Sequence, residues 1–546
     1  MLDDAVSFPL LNEADLTLLE GLGTRQTVAI GEYLFRQGDE TYNFYIVLSA
    51  VVEIVVQADG IDHVIVRHGA GRFVGELGLL TGQRAFVSAR VVEPGDVLAL
   101  SREALRHVIA TNPRLSDTFL AAFLARRTGL LTHGAEAIRL VGSRFSPDTR
   151  RTREYLTRSR IPHAWHDPDS DASVEGLLRE FEVSAADLPV VFAGGFVLRR
   201  ATAGALAEYL GLTVASLPDR SFDLVVVGAG PAGLAAGVYG ASEGLRTLMV
   251  EMVAVGGQAG TSSRIENYLG FPTGISGGDL TERALVQAEK FGAFLSSPCT
   301  VTSMREEGGH LVLRLSDGTD VAGRAVIAAT GARYRRLGVD RLEDFEGNGV
   351  YYAATEMEGR LCAGSPVIVI GGGNSAGQAA VFLADSGSPV SVVIRGADLG
   401  KSMSRYLVDR IEAHPGIDVY TNSQVTHLEG EKILSSVRIT GTGGDVEMPC
   451  SGLFSLIGAD PCSDWLSGCA TLDQQGFVVT DLSLDDDDLD ETWQTLGRQP
   501  LPFETSQPGL FAVGDVRSGS TKRVAAAVGE GSAAVRSVHQ YLAFGH

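Results

Sequence analysis

The stretch Leu224-Val225-Val226-Val227-Gly228-Ala229-Gly230-Pro231-Ala232-Gly233 decides the fold of the longer part of this chain. Its four leading apolar residues read as a buried strand, and the glycines that follow have separate tasks. The first permits a tight turn, the second lets the backbone reach a pyrophosphate, and the third lets helix pack closely on strand. A helix from Leu234 to Glu243 then faces the phosphates with its free amides and positive dipole end. A second strand, Thr247 to Val250, ends in Glu251, 18 residues after Gly233, where a carboxylate can accept hydrogen bonds from a ribose. A lone glycine motif is weak evidence; strand, turn, helix, strand and acid in this order are specific for a dinucleotide-binding unit.

A second copy follows the strand Val367 to Ile370 as Gly371-Gly372-Gly373-Asn374-Ser375-Ala376, with Ala in place of the third glycine. The next strand, Val390 to Ile394, ends in Arg395, 19 residues after Ala376, with Lys401 and Arg405 close by. A carboxylate would repel a 2′-phosphate, whereas an arginine can grip it bidentately. The first turn is therefore expected to take a cofactor with a free 2′-hydroxyl and the second NADPH, with NADH as the alternative. A plain surface charge is the competing reading of Arg395. Near the C-terminus Gly509-Leu510-Phe511-Ala512-Val513-Gly514-Asp515 reads as an apolar strand ending in an Asp that can bond a cofactor hydroxyl. Gly529-Glu530-Gly531 is expected to open another helix.

Upstream the pattern differs. Residues 10 to 105 read as short strands between glycine turns: Tyr42 to Val47, Val51 to Val56, Val64 to Arg67 and Val97 to Leu100. This spacing predicts a small barrel or jelly roll. Ser101 is placed to cap a helical stretch that continues past Pro113 to about Thr132. From Ile138 the order becomes strand (to Gly142), helix (Thr149 to Arg160), strand (Ala164 to His166) and helix (Val174 to Phe181). A hairpin (Val190 to Phe192, Phe196 to Arg199) and a last helix (Ala203 to Leu210) complete a small α/β domain. Thr213 to Arg220 reads as a linker, and the acidic run Asp485 to Asp490 as a solvated loop. The domains expected here are 1–134 and 135–214, followed by two Rossmann-like domains, so the fold class is multidomain.

Glycine supplies 66 of 546 residues, about 12% against a usual ~7%, as suits backbones that approach phosphates. The net charge of −22 argues against a general nucleic-acid binder, which needs surplus Lys and Arg, and gives no reason to sit on an anionic membrane. Met1-Leu2-Asp3-Asp4 lacks the basic start of a signal peptide, and no run of 18 apolar residues occurs, so no membrane contact is expected. Cys299, Cys362, Cys450, Cys462 and Cys469 are scattered, none in C-x-x-C, and read as free thiols in a reducing cytosol. The expected location is cytoplasmic, and no metal site is expected.

From Phe222 onward, about 325 residues resemble the low-molecular-weight thioredoxin reductases. The motifs are Gly228 to Gly233, Gly256-Gly257-Gln258, Ile265-Glu266-Asn267-Tyr268, Ala329-Thr330-Gly331, Gly371 to Ala376 and Gly514-Asp515, in the family's order. The resemblance implies an FAD domain of 222–334 and 453–546, with an NADPH domain inserted as 335–452. FAD would be held by Gly228, Gly230, Pro231, Gly233, Glu251, Gly257, Gln258, Asn267, Thr330, Gly331, Gly514, Asp515, Arg523 and Val524. NADPH would be held by Gly371, Gly373, Asn374, Ser375, Ala376, Arg395, Lys401 and Arg405. A homodimer whose nucleotide domains rotate between two arrangements is implied as well. The chain departs from the family at its redox pair, Cys-Ala-Thr-Cys, where it reads Ala353-Ala354-Thr355-Glu356. Neither Ala353 nor Glu356 can exchange disulfides, which requires a thiolate.

Residues 138 to 212 resemble a glutaredoxin- or thioredoxin-like domain, on the strand before Ser146-Pro147-Asp148-Thr149, where that family has Cys-Pro-x-Cys, and on Leu188-Pro189-Val190. Both thiols are absent, which implies a scaffold. Residues 10 to 130 resemble cyclic-nucleotide-binding domains through Phe73 to Gly82, like that family's phosphate cassette. The ligand residues implied are Gly75, Glu76, Arg84 and Ala85, although Arg84 falls one position late when the cassette's end is aligned. A cyclic nucleotide, another small ligand and an empty dimerisation module all stay open.

The function these readings imply is hydride transfer from NADPH to FAD, then to an acceptor not identified by the sequence: a quinone, molecular oxygen or a redox protein. The alternatives are a non-enzymatic signalling protein that binds flavin and nucleotide, and a thioredoxin-disulfide reductase acting without its own cysteine pair.

Overall fold

The computed structural model describes residues 4–544 apart from 59–60, 77, 133–137, 172–173, 194–195, 218, 263–264, 266–267, 347, 353 and 355. The N-terminal part is a sandwich of two four-stranded sheets. One has the order Thr24–Val28, Gly95–Leu100, Phe44–Val47, Phe73–Val74; the other Tyr33–Phe35, Ser88–Glu93, Val51–Ala58, Ile61–His68. The four strands expected from sequence are present. Strand Thr24–Val28 offered little alternation to read, being exposed over its first four residues. Ser101 caps helix Arg102–Thr111 through the Ala104 amide (3.2 Å). The helical stretch is not continuous: Asn112 adopts extended backbone, caps Leu115, and a new helix runs Pro113–Thr132. Proline cannot donate within a helix but suits its first position, so the break falls there. Phe44, Phe73, Phe119 and Phe123 pack ring against ring where these helices meet the sandwich.

The next sheet has the order Ala164–His166, Ile138–Val141, Val190–Ala193, Phe196–Leu198. Its first pair is parallel and the others antiparallel. Helices Pro147–Arg158 and Ala203–Tyr209 pack together, and the Leu188–Pro189 bond is cis. The expected linker contains Val214, which is fully buried against the following sheet.

That sheet is built on the parallel strands Phe294–Ser296, Thr247–Val250, Ser221–Val227, Asp320–Ala328 and Leu510–Ala512. The second nucleotide fold has five parallel strands in the order Val350–Tyr351, Gly452–Ser455, Val367–Ile370, Val390–Val393, Ile417–Tyr420. One correction follows. Strand Gly452–Ser455 was expected to begin the returning FAD segment, but it pairs with Val367–Ile370, and Leu453 and Phe454 are fully buried there. The chain crosses back only at an antiparallel ribbon, Ala332–Tyr334 against Ala459–Pro461, so the inserted segment ends near residue 458 rather than 452.

Near the C-terminus Arg498 makes a two-pronged ion pair (2.7 and 2.9 Å) with Glu504, which is wholly buried and also accepts the Leu501 and Gly509 amides. Removing one partner of a buried pair leaves an uncompensated charge, so Arg498→Ala should lower unfolding free energy by about 3–5 kcal/mol in urea titration. A loss below about 1 kcal/mol would place the pair among surface bridges.

Candidate active site

The first glycine turn is closed by backbone contacts that leave no space for side chains. Gly228 has φ +107°, and a Cβ there would stand 2.3 Å from the Ala329 carbonyl oxygen; one on Gly233 would stand 1.9 Å from the Gly228 oxygen. Gly230, which caps helix Pro231–Ser242, has nothing nearer than 3.8 Å to its Cβ position. Tight backbone contact at the first and third glycines, with only an ordinary van der Waals neighbour at the second, is the arrangement by which such a turn lets the backbone approach a pyrophosphate. Glu251 is buried, and its two oxygens accept the Ala229 (2.7 Å) and Val253 (3.0 Å) amides. A carboxylate has about four acceptor positions, so capacity for a ribose hydroxyl is left.

Of the other residues expected around FAD, Gly257, Thr330 and Gly514 stand against this turn. Gly257 lies against Gly230, and the Gln258 side-chain amide donates to the Ala332 carbonyl. The Thr330 hydroxyl donates to the Cys462 carbonyl (2.7 Å), and Gly331 accepts the Cys462 amide (3.0 Å). Gly514, at φ +71°, stands beside Ala232. Half-buried Asp515 has its carboxyl pushed upward by burial, opposed by Lys522. Arg523 and Val524 form the start of helix Val524–Ala543. Asn267 and Ala353 lie outside the described residues, and Glu356 begins a short helix, Glu356–Cys362.

Gly529-Glu530-Gly531 does not open a helix; it lies in the middle of Val524–Ala543. Gly531 is needed where this helix crosses the first one, since a Cβ there would meet the Ala232 carbonyl at 2.1 Å. Glu530 accepts the Gly514 amide (2.7 Å) and pairs with Arg517 (2.7 Å), bracing the Gly-Asp turn. Sequence reading had missed Glu530, whose only signal was an acid between two glycines.

At the second turn Gly371 (φ +139°) packs on the Leu456 carbonyl, while Gly373 has open space above it. Ser375 is exposed in the first turn of helix Asn374–Asp385, and Ala376 is buried beneath it. The Asn374 side chain is engaged by the Ser404 amide (2.6 Å), and the Ser402 hydroxyl donates to the Gly372 carbonyl (2.9 Å). These two bonds lace the 395–405 loop to the turn. Arg395, Lys401 and Arg405 are exposed on it, Arg405 with Asp409 as an ion partner (2.8 Å).

In the N-terminal cassette Glu76 accepts the Phe86 amide (3.0 Å) and the Tyr42 hydroxyl (3.3 Å), and burial raises its carboxyl. Arg84 faces elsewhere: its guanidinium donates to the carbonyls of Gly38 and Tyr209 and pairs with Glu40. The cassette thus joins Glu76 to the Phe86 amide, next to Ala85, without the Arg84 guanidinium. A cavity of about 20 Å³ beside Glu76 is lined by Phe123, Arg126, Arg127 and Leu130 of helix Pro113–Thr132. That is room for about one water.

A larger cavity, about 70 Å³, lies where the sandwich, the small α/β domain and helix Gly277–Lys290 meet. Glu289 lines it, buried, with one oxygen lacking a partner among the described residues. Burial pushes its carboxyl from 4.5 up to about 8, against the attraction of Arg127 and Arg106. Between those values the folded chain keeps a proton that the unfolded chain has released, so folding stability falls as pH rises through this window. Glu289→Gln should flatten that fall in urea titrations across the window; an unchanged slope would assign it to other groups.

Two nucleotide folds, joined by an antiparallel ribbon and each with a glycine strand-to-helix turn, define a dinucleotide-dependent redox protein. Residues 222–531 match the pyridine nucleotide-disulphide oxidoreductase family, and residues 25–112 the cyclic nucleotide-binding domain family. The chain is 33% identical over 324 residues to thioredoxin reductase of Streptomyces clavuligerus, covering 59% of this chain and 94% of that enzyme. It is 33% identical over 327 residues to thioredoxin reductase of Treponema pallidum, covering 98% of it. Among solved structures, T. acidophilum thioredoxin reductase aligns with a TM-score of 0.53 at 29% identity, over 59% of this chain and 99% of that one. The chain belongs to the pyridine nucleotide-disulphide oxidoreductases, on the thioredoxin-reductase side of the family. It is an FAD-dependent pyridine-nucleotide oxidoreductase, of a family that uses FAD and NADPH.

Proposed function

We propose that the chain passes hydride equivalents from NADPH through FAD to an acceptor outside its own sequence, under control of its N-terminal domain. The observation that carries this reading is a pair of glycine cradles linked by an antiparallel ribbon in a chain with Ala353 and Glu356 at the redox-pair positions. FAD, when bound, supplies the two-electron relay. The chain's own residues hold and orient: the Gly228–Gly233 turn and Glu251 at one nucleotide, Asp515 with its Glu530 brace beside it, and the Gly371–Ala376 turn with Arg395 and Lys401 at the other. The acceptor classes are a quinone, oxygen or a redox protein. The chain's thiols are poor candidates for a relay, because burial raises Cys362 to about 11 and Cys450 to about 12, far from the thiolate that exchange requires.

In this reading residues 1–134 are a regulatory domain and 135–214 a thioredoxin-like domain without its cysteines, supported by the parallel strand pair followed by an antiparallel hairpin. The FAD domain is 222–334 with the segment after about 458. Kinship favours a homodimer, and the free thiols fit a cytoplasmic location. A cassette ligand, a cyclic nucleotide or another small molecule, would have to displace helix Pro113–Thr132. It controls turnover only if it binds two arrangements of that helix unequally. An acceptor panel tests the core of the reading. NADPH oxidation should proceed with a quinone or dye, survive thiol alkylation unchanged, and fail with a thioredoxin disulfide. Inhibition by alkylation would return the function to the chain's cysteines.

A further inference from the structure

We propose that Arg158 of the small α/β domain is a positioning residue for the flavin-side loop, so that this thiol-less domain acts as a clamp on the cofactor pocket. The inference rests on FAD occupying the first cradle. Arg158 ends helix Pro147–Arg158, and its guanidinium donates to the Gly257 carbonyl at 3.1 Å. Gly256 and Gly257 both have positive φ, +103° and +53°, so this loop lies in backbone conformations that side chains avoid and glycine enters freely. Gly257 lies directly against Gly230, the middle glycine of the phosphate turn. In a trans peptide the next amide points opposite to the carbonyl, so drawing the Gly257 carbonyl toward Arg158 sets the direction of the Gln258 N–H.

Two neighbours hold the same helix end in place. The buried Tyr155 hydroxyl donates to the Ser297 carbonyl (3.1 Å), and Arg160 pairs with Asp279 (2.5 Å) and Glu282 (3.0 Å) on helix Gly277–Lys290. Arg127, on the last helix of the sandwich, donates to the carbonyls of Ser159 and Arg160 (both 3.1 Å). The turn 158–160 is therefore gripped by the regulatory domain and itself grips the flavin loop.

The test uses the full-length chain and the variants Arg158→Met, Arg158→Lys, Arg127→Met and the Arg127→Met/Arg158→Met double. FAD affinity is read by flavin fluorescence, and the bound flavin's absorption spectrum is recorded. Arg158→Met should weaken FAD binding about tenfold, the scale of a charged donor lost from a carbonyl, and alter the spectrum. Arg158→Lys should recover most of both. Arg127→Met should weaken binding less, and the double variant should lose little beyond Arg158→Met, the signature of shared coupling. Should Arg158→Met fail to fold, Tyr155→Phe is expected to loosen FAD severalfold with the same spectral change. A folded Arg158→Met with wild-type affinity and spectrum overturns the clamp, as does a Lys variant no better than Met, strictly additive losses, or an unaltered Tyr155→Phe. A wild type without flavin would instead overturn the cofactor reading beneath it.

Discussion

Gly233→Ala is expected to yield a colourless protein. Its added methyl would stand 1.9 Å from the Gly228 carbonyl oxygen, and that turn has no slack to give. Gly228 donates its amide to the Val250 carbonyl (2.7 Å) and packs on the Ala329 backbone behind. Forcing the helix off the strand costs about 1–3 kcal/mol in overpacking alone. It also moves the amides that face the pyrophosphate, so the flavin-to-protein ratio should fall at least about tenfold. Gly176→Ala, at an exposed position of helix Val174–Glu180 with no atom near its Cβ position, is the control and should stay fully flavinated. A yellow Gly233→Ala would mean that the cofactor does not sit on this turn.

Arg395→Ala should separate the two nicotinamide cofactors. Arg395 stands at the tip of the strand after the second turn, exposed, on a loop tied to that turn through Ser402 and Ser404. A charge-assisted bond to a 2′-phosphate is worth about 1.5–3 kcal/mol, so kcat/KM for NADPH should drop roughly tenfold to hundredfold. The value for NADH, which lacks that phosphate, should stay within about twofold, because nothing it offers meets Arg395. Equal losses with both cofactors would make Arg395 a structural charge.

Much of this architecture is legible in the sequence, because the features that carry it are local. A β-branched run followed by spaced glycines declares a strand-to-helix turn on its own, and both turns lie where they were read. Ser101 and the strand–helix order of 138–212 were legible for the same reason. What was hidden depends on distant pairing. Gly452–Ser455 looks like any apolar strand, and only its partner Val367–Ile370 tells which domain owns it. Glu530, Arg158 and Glu289 carry no motif, since each takes its role from an element far away in sequence. Arg84, read as one position late in the cassette, has its guanidinium taken by Tyr209 and Glu40, partners distant in sequence.

Anaerobic stopped-flow mixing of the purified chain with NADPH tests the central claim most directly. The account predicts rapid bleaching of a bound flavin, equally fast after every accessible thiol has been alkylated. A protein that carries flavin yet shows no bleaching by NADPH or NADH would contradict it.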